Sequence, residues 1–484
     1  MADKFEGLKP ELVWKHFARI LAVPRCSGHE KPMGDYVVES AKAAGLTWKR
    51  DAVGNVLVEK PASPGREKAA GVILQGHMDM VCEKNSDVAF DFAKDAIQAE
   101  RKGDWIQAKG TTLGSDNGIG LASCLAIMDD KTLTHGPLEF LFTVDEERGL
   151  TGANKIQPGF LKGTRLLNLD SEEEGAFTIG CAGGADTELT LPLKRKKGKA
   201  KGPVFQLKVF GLRGGHSGID INQGRGNAIK ILTRLLWQAQ SKFGFELIRM
   251  EGGNKRNAIP REAWAEMLVP PAELDRLAAF LAAAFSKVKS EYKAVETEIQ
   301  YVFEKKKGAA VPLAAPSQKA LLDFLFALPH GVMAMHPEIA GLVETSTNLA
   351  IVSVKSAQAQ VICSSRSSVG SALEALRDMI RAVADIAQAK VRQPGGYPGW
   401  TPNLQSGLLK TLKELHLKVF GKEAQVAAIH AGLECGIIGE KFPGMDMISF
   451  GPTIQHPHSP EERVNVPSVE NFYKFLLAAL GALS

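Results

Sequence analysis

The sequence predicts an α/β protein with a mostly parallel-sheet domain formed by both chain ends and interrupted by an α+β insert. Residues 1 to about 185 alternate short apolar runs with helical stretches, and the same texture returns after the breaker-rich segment VRQPGGYPGWTPN. Strands alternating with helices call for a parallel sheet covered on both faces. Between them the pattern changes, so the boundaries fall at 1–185 plus 401–484 for one domain and 186–400 for the other.

In the first segment, helices are expected near 10–21 and 32–44, and strands within VGNVLVEK, AAGVILQGH, LEFLFTVDEE and TRLLNLDSEE. The last segment adds a helix near 406–420, a strand in AQVAAIH, a short helix, a strand in DMISFGP and a final helix. In the insert, Phe205, Leu207 and Val209 alternate as in a half-covered strand, whereas Ala228, Ile231, Leu232, Leu235, Leu236 and Ala239 recur at helical spacing. ETEIQYVF, TSTNLAIVSV and AQVICSS read as strands, with helices near 272–290, 318–327 and 371–389. The insert is expected to form two βαβ-like halves.

A length of 484 residues suits roughly three units of about 150 residues. No apolar run reaches the ~18 residues of a membrane span, and the N-terminal residues lack the basic-then-apolar pattern of a cleaved leader. The six cysteines lie far apart without a C-x-x-C, which reads as free thiols in a reducing, cytoplasmic compartment. Lys and Arg number 59 against 54 Asp and Glu. The excess sits in KRKKGKAK (Lys194–Lys201) and KKK (Lys305–Lys307), read as solvated loops; neither interleaves aromatics, so no nucleic-acid partner is implied.

The chemistry collects where strand runs stop or helices begin. VILQGHMD places His77 and Asp79 just past a strand, and GTTLGSDNGIG places Asp116 before a helix near 118–129. FLFTVDEE ends in Glu146 and Glu147, LLNLDSEE in Asp170, and DMISFGPTIQHPHSPEE carries His456 and His458. Open α/β sheets bind ligands outside the carboxyl ends of their strands, so distant segments deliver imidazoles and carboxylates to one place. Two histidines with three or four carboxylates match two ions about 3.5–4 Å apart sharing a carboxylate. A mixed nitrogen and oxygen set suits zinc, manganese or cobalt better than calcium or magnesium. Taken singly, His77 and Asp79 read as surface polar sequence, Asp116 as a helix N-cap, the Glu pair as a solvated strand end and Asp170 as an acidic loop. Their shared placement at the same kind of boundary weakens those separate readings.

GHMDMVCEKN, GTTLGSDNGIG, TVDEERGLTGA, NLDSEEEG, GLRGGHSG, HAGLECG and GPTIQHPHSPEE together resemble the cytosolic non-specific dipeptidases, also called aminoacyl-histidine dipeptidases. These belong to the metallopeptidase family of carnosinases, glutamate-releasing carboxypeptidases and aminoacylases. The resemblance spans about residues 76–461 and implies a di-zinc peptidase domain interrupted by a lid and dimerisation domain. It implies that His77 and Asp170 hold one ion, Glu147 and His458 the other, and Asp116 both, with Asp79 orienting His77. Glu146 is then the general base acting on a water shared by the two ions. His458 rather than His456 stands in the His-Ser-Pro of the motif, and His456 departs from it. The resemblance further implies that His216, Asn257 and Arg366 hold the scissile carbonyl and the substrate carboxylate, a guanidinium being suited to bidentate grip. His430 and Glu434, both placed in the catalytic half, are expected to line the pocket for the amino terminus.

The implied activity is hydrolysis of dipeptides with broad specificity, including Xaa-His substrates, in a homodimer paired through the insert, with His216 reaching the partner's site. An N-acyl amino acid deacylase or a tripeptidase of the same fold is the alternative, separable by assaying dipeptides against N-acetyl amino acids. A non-catalytic relative would be expected to have lost the base or a ligand, and neither is missing here.

Overall fold

The computed structural model describes residues 5–198, 202–307 and 311–484. The chain divides into two compact units, one comprising Met1–Cys181, Trp400–Ala428 and Leu433–Ser484, the other Ala182–Gly399 and Ile429–Gly432.

An eight-stranded sheet organises the first unit. At its centre, Leu138–Thr143, Val72–His77, Arg165–Asn168 and Asp446–Ser449 run parallel to one another in that order. The margins are antiparallel: Thr47–Arg50 and Val56–Lys60 extend one side, and Ala176–Cys181 joins the other. VILQGH and LEFLFT are buried along their whole length, as continuous apolar runs must be when both faces of a parallel sheet are covered. The helix Ser115–Asp129 is buried nearly all round. Outside it lies Glu11–Ile20, whose Val13, Trp14, Phe17 and Ile20 form its buried stripe. Val466–Ala482 starts cleanly because the Asn465 side chain accepts the Ser468 N–H and Pro467 needs no donor. A smaller sheet joins Ala99–Lys102 and Trp105–Ala108 to Arg463–Asn465 and Ile454–Gln455. The last two strands make a hairpin whose tip carries His456 and His458.

The second unit is a nine-stranded sheet, and every strand pairing among its described residues is antiparallel. This corrects the expected βαβ-like halves. Alternating burial, as in Gly183–Pro192, reveals a strand with one covered face but not the direction of its neighbours. Strands Glu246–Gly252 and Ala263–Leu268, which the sequence reading omitted, supply the antiparallel links. Ala228–Gln240, capped by the Asn227 side chain, packs with Leu274–Glu291 and Ala315–Ala327 over the sheet. Lys199 and Lys201 of the basic run lie outside the described residues. Within the run Arg195 is structural rather than merely solvated, donating to the carbonyls of Ile248, Val311, Lys355 and Ser356.

Among the described residues no helix is long and apolar enough to cross a membrane. The cysteine expectation needs correction, because Cys26 and Cys82 form a disulfide, leaving Cys124, Cys181, Cys363 and Cys435 free and buried. The partners lie 56 positions apart. They meet because the backbone around Cys26 bridges Met80 in parallel, a tertiary contact that cysteine spacing does not encode. Unreduced protein in denaturant is therefore expected to titrate four thiols, rising to six after reduction; six thiols without reductant would refute the pairing.

Candidate metal centre

The carboxyl ends of the parallel strands deliver the cluster. His77 is the last residue of its strand and pairs across the sheet with Thr143, three positions before Glu146. Asp170 stands two residues beyond the neighbouring strand Arg165–Asn168. Asp116 is not an N-cap: Gly114 occupies that place without a side-chain cap. Asp116 and Asn117 are themselves non-helical, so the regular helix begins beyond them. The Asp116 carboxylate is thereby free to face the cluster. His458 arrives from the hairpin tip.

The distances are short. His77 Nε2 lies 3.1 Å from Asp116 Oδ1 and 3.3 Å from Asp170 Oδ1, and His458 Nε2 lies 3.2 Å from Asp116 Oδ2 and 3.0 Å from Glu147 Oε2. Ligand-capable atoms gather within 4.8 Å in three groups: His77 with Asp116 and Asp170, Asp116 with Glu147 and His458, and His77 with Glu146 and Glu147. The first two share Asp116, the pattern expected of two ions with a common carboxylate. The third includes Glu146, so proximity alone does not separate the ligand from the base within the Glu pair. His456 is exposed at the hairpin tip and joins none of these groups.

Two observations fit cations to this donor set. Glu147 Oε1 is buried without a hydrogen-bond partner, a costly condition for an acidic oxygen. Carboxylates also outnumber imidazoles, and burial and neighbouring charges shift Asp116, Asp170 and Glu146. Burial would raise Asp116, but hydrogen bonds to His458 and His77 hold it below the usual carboxylate range. Burial pushes Asp170 up to about 6 despite His77. Glu146 is raised well above its ordinary value, first by burial and then by Asp170, Glu434 and Glu147. A mixed nitrogen and oxygen donor set of this kind suits a divalent metal ion.

Asp79 is fully buried and accepts from three donors: the Glu146 N–H (3.0 Å), the Glu147 N–H (3.2 Å) and Ser27 Oγ (2.7 Å). Its Oδ1 also lies 3.2 Å from His77 Nδ1, so one carboxylate touches His77 and the backbone of both members of the Glu pair. Burial opposes its charge, yet His77, Ser27 and the Glu146 N–H bring it down to about 2. Glu30 Oε1 accepts the N–H of Asp145, whose φ of 53° lies in the left-handed region that Asp tolerates. Ser27 and Glu30 were missed in the sequence, as was Glu172, pushed up to about 8 by burial and by Asp116 and Asp170. No motif spacing marks the first two, and Glu172 is hidden in an acidic run.

Glu434 is buried in the first unit, where its Oε2 accepts from Gln75 Nε2 and Thr143 Oγ1, each at 2.6 Å, while Oε1 has no partner. Burial pushes it up to about 7. His430, expected in the same half, belongs instead to the second unit, where its Nε2 lies 2.7 Å from Ser346 Oγ. The reason is that Ile429–Gly432 turns to hydrogen-bond with Ala182. In that unit Arg366 Nη1 donates to Tyr397 Oη at 2.9 Å, and Nη2 lies 3.4 Å from His216 Nε2. His216 Nδ1 lies within reach of the N–H groups of Gly218 and Ile219, while Nε2 faces the Arg366 guanidinium. Burial, then Arg366, lowers His216 to about 4, which favours the neutral ring beside the guanidinium. Asn257 is exposed on the loop whose carbonyl accepts the Ser217 N–H.

The family model described as peptidase family M20/M25/M40 matches residues 73–482. The cytosol non-specific dipeptidase of Escherichia coli K12 is 40% identical over 478 residues, 99% of each chain. The crystal structure of aminoacylhistidine dipeptidase from Vibrio alginolyticus superposes with a TM-score of 0.92 at 41% identity, covering 100% of this chain and 99% of that one. Aminopeptidase PepT from Bacillus cereus, at 15% identity and a TM-score of 0.59 over 98% of this chain and 99% of that one, shares the fold.

Metal binding by this cluster must displace protons. Burial would lower His77, but Asp170, Asp116 and Asp79 hold it well above its ordinary value, and hydrogen bonds to Asp116 and Glu147 push His458 up to about 11. Both shifts favour the protonated ring in the metal-free protein, whereas ligation requires the neutral ring. Zinc titration is expected to release protons from both rings, with affinity falling as pH falls. Calorimetry in buffers of different ionisation enthalpy reads this directly, and heats independent of buffer would contradict it.

Proposed function

The chain belongs to peptidase family M20/M25/M40, and from that premise we propose that it is a metal-dependent dipeptidase of broad specificity, acting on Xaa-His dipeptides among others. The observation that carries the reading is the pair of donor groups sharing Asp116, in a chain so similar over its whole length to two dipeptidases. His77 and Asp170 would hold one divalent ion, Glu147 and His458 the other, and Asp116 both, zinc being favoured and manganese or cobalt also suiting the donors. Two such ions supply Lewis-acid polarisation and acidify the attacking water.

The remaining chemistry belongs to side chains. Glu146 is assigned the proton, taken at its carboxylate from the attacking water and returned to the leaving amine. Its carboxyl is raised well above its ordinary value by burial and by the neighbouring carboxylates, and bound cations would favour the carboxylate form that this role needs. Asp79 orients His77 and fixes the Glu146 backbone. Glu434, with one buried oxygen unpartnered, suits the substrate ammonium. On the family pattern, His216, Asn257 and Arg366 are assigned to holding the scissile carbonyl and the substrate's terminal carboxylate, with His430 lining the pocket. A cytoplasmic homodimer paired through the second unit completes the proposal.

Replacing each member of the Glu pair separates base from ligand. Glu146→Ala is expected to keep two ions while kcat on a dipeptide panel falls by at least about 10²-fold, the scale of a lost general base; Glu147→Ala is expected to lose metal. Reversed metal contents would reverse the assignment. Activity on N-acetyl amino acids instead of dipeptides would favour a deacylase.

If His216 serves the partner's site, mixing inactive His216→Ala and Glu146→Ala subunits is expected to restore activity toward about a quarter of wild type, since random exchange makes half the dimers mixed, each with one complete site. Demonstrated exchange without recovery would assign His216 to its own chain or to no catalytic role.

A further inference from the structure

Four residues beyond His458, Glu462 is 2% exposed and far from the helix it serves in sequence. Its Oε2 accepts the N–H groups of Leu113 and Gly114, each at 2.8 Å. Its Oε1 accepts from the Ser115 N–H at 2.7 Å, Ser115 Oγ at 2.6 Å and the Asp116 N–H at 3.3 Å. Five donors from four consecutive residues thus close on one carboxylate, an anion nest that ends at the shared ligand candidate. Arg25, also 2% exposed, donates to the carbonyls of Met78, Asp79 and Gly114. The loops after His77 and before Asp116 are thereby tied to each other, and through Glu462 to the hairpin bearing His458.

A side chain from the 113–116 segment itself could satisfy the same N–H groups. What the observed arrangement adds is dependence: Asp116 and His458, whose ligating atoms lie 3.2 Å apart, cannot shift independently while Glu462 grips the backbone of one from the loop of the other. We propose that Glu462 is a positioning residue that sets the spacing of Asp116 and His458, so that the affinity of the ion they share depends on it. The inference rests on the dinuclear reading given above.

The experiment is zinc titration against a chromophoric chelator, with thermal unfolding of the metal-free protein alongside, for wild type, Glu462→Gln and Glu139→Gln. Glu139 is a comparable buried carboxylate, accepting the Lys162 and Gly163 N–H groups from the opposite end of the strand that leads to Glu146. Glu462→Gln keeps the shape but turns one acceptor into a donor facing N–H groups. It is expected to weaken the His458 ion by about 10- to 100-fold, the scale of a lost outer contact, and the other ion by less. Glu139→Gln is expected to lose stability with both affinities unchanged. Should Glu462→Gln fail to fold, Ser115→Ala removes only the hydroxyl donor and is expected to weaken the same ion by about 2- to 10-fold. Wild-type zinc affinities in folded Glu462→Gln, or in Ser115→Ala if it must stand in, overturn the proposal. Fewer than two zinc ions in wild type would instead overturn the dinuclear reading, and the proposal with it.

Discussion

The buried carboxylate of Asp79 is the constraint around which the rest of the site is arranged. It sits just beyond the strand Val72–His77 and takes the first two N–H groups of the short helix that follows the adjacent parallel strand. Two strand ends are thus joined by one anion, and the side chains they carry, His77 on one and Glu146 and Glu147 on the other, inherit a common frame. The N-terminal segment secures that anion through Ser27 and, from the carbonyl side, through Arg25. A buried charge is stable only when its oxygens are satisfied in this way, so the loops cannot relax without exposing an uncompensated carboxylate.

The consequence is a site whose electrostatics are tense before any ion enters. Carboxylates that would repel one another are packed together, and burial, with the neighbouring carboxylates behind it, raises both Glu146 and Asp170. Side chains held in place in this way would need little rearrangement to bind an ion, which favours affinity. In the second unit the logic is inverted: His216 and His430 are kept neutral by burial and by Arg366, leaving the guanidinium as a strong positive partner for an anionic group.

How much of this was legible in sequence follows from physics. The continuous apolar runs VILQ and LEFLF announce buried parallel strands, and acidic or imidazole residues beyond them are conspicuous because parallel strands end together. Asp116 looked like a helix cap as much as a ligand, and only its non-helical backbone separates the two. Arg25, Ser27 and Glu30 lie in a loop with no periodicity, and their partners are chosen by tertiary approach. Short margin strands such as Thr47–Arg50 carry too few residues for an alternation to register, and strand direction in the second unit is set by connections rather than by side-chain pattern. His430 and Glu434, neighbours in HAGLECG, part company because the chain passes from one unit to the other between them.

The order of strands in the main sheet also bears on how the molecule is made. Arg165–Asn168 and Ala176–Cys181 are synthesised almost together, yet the strand Asp446–Ser449 lies between them. On the ribosome this leaves a vacant lane at the heart of the first unit while nearly the whole second unit, Ala182–Gly399, emerges as one uninterrupted stretch. The sheet is therefore complete only once this distant segment lies between its two neighbours. That same late segment brings His458, so the cluster joins residues from both ends of the first unit's stretch of chain.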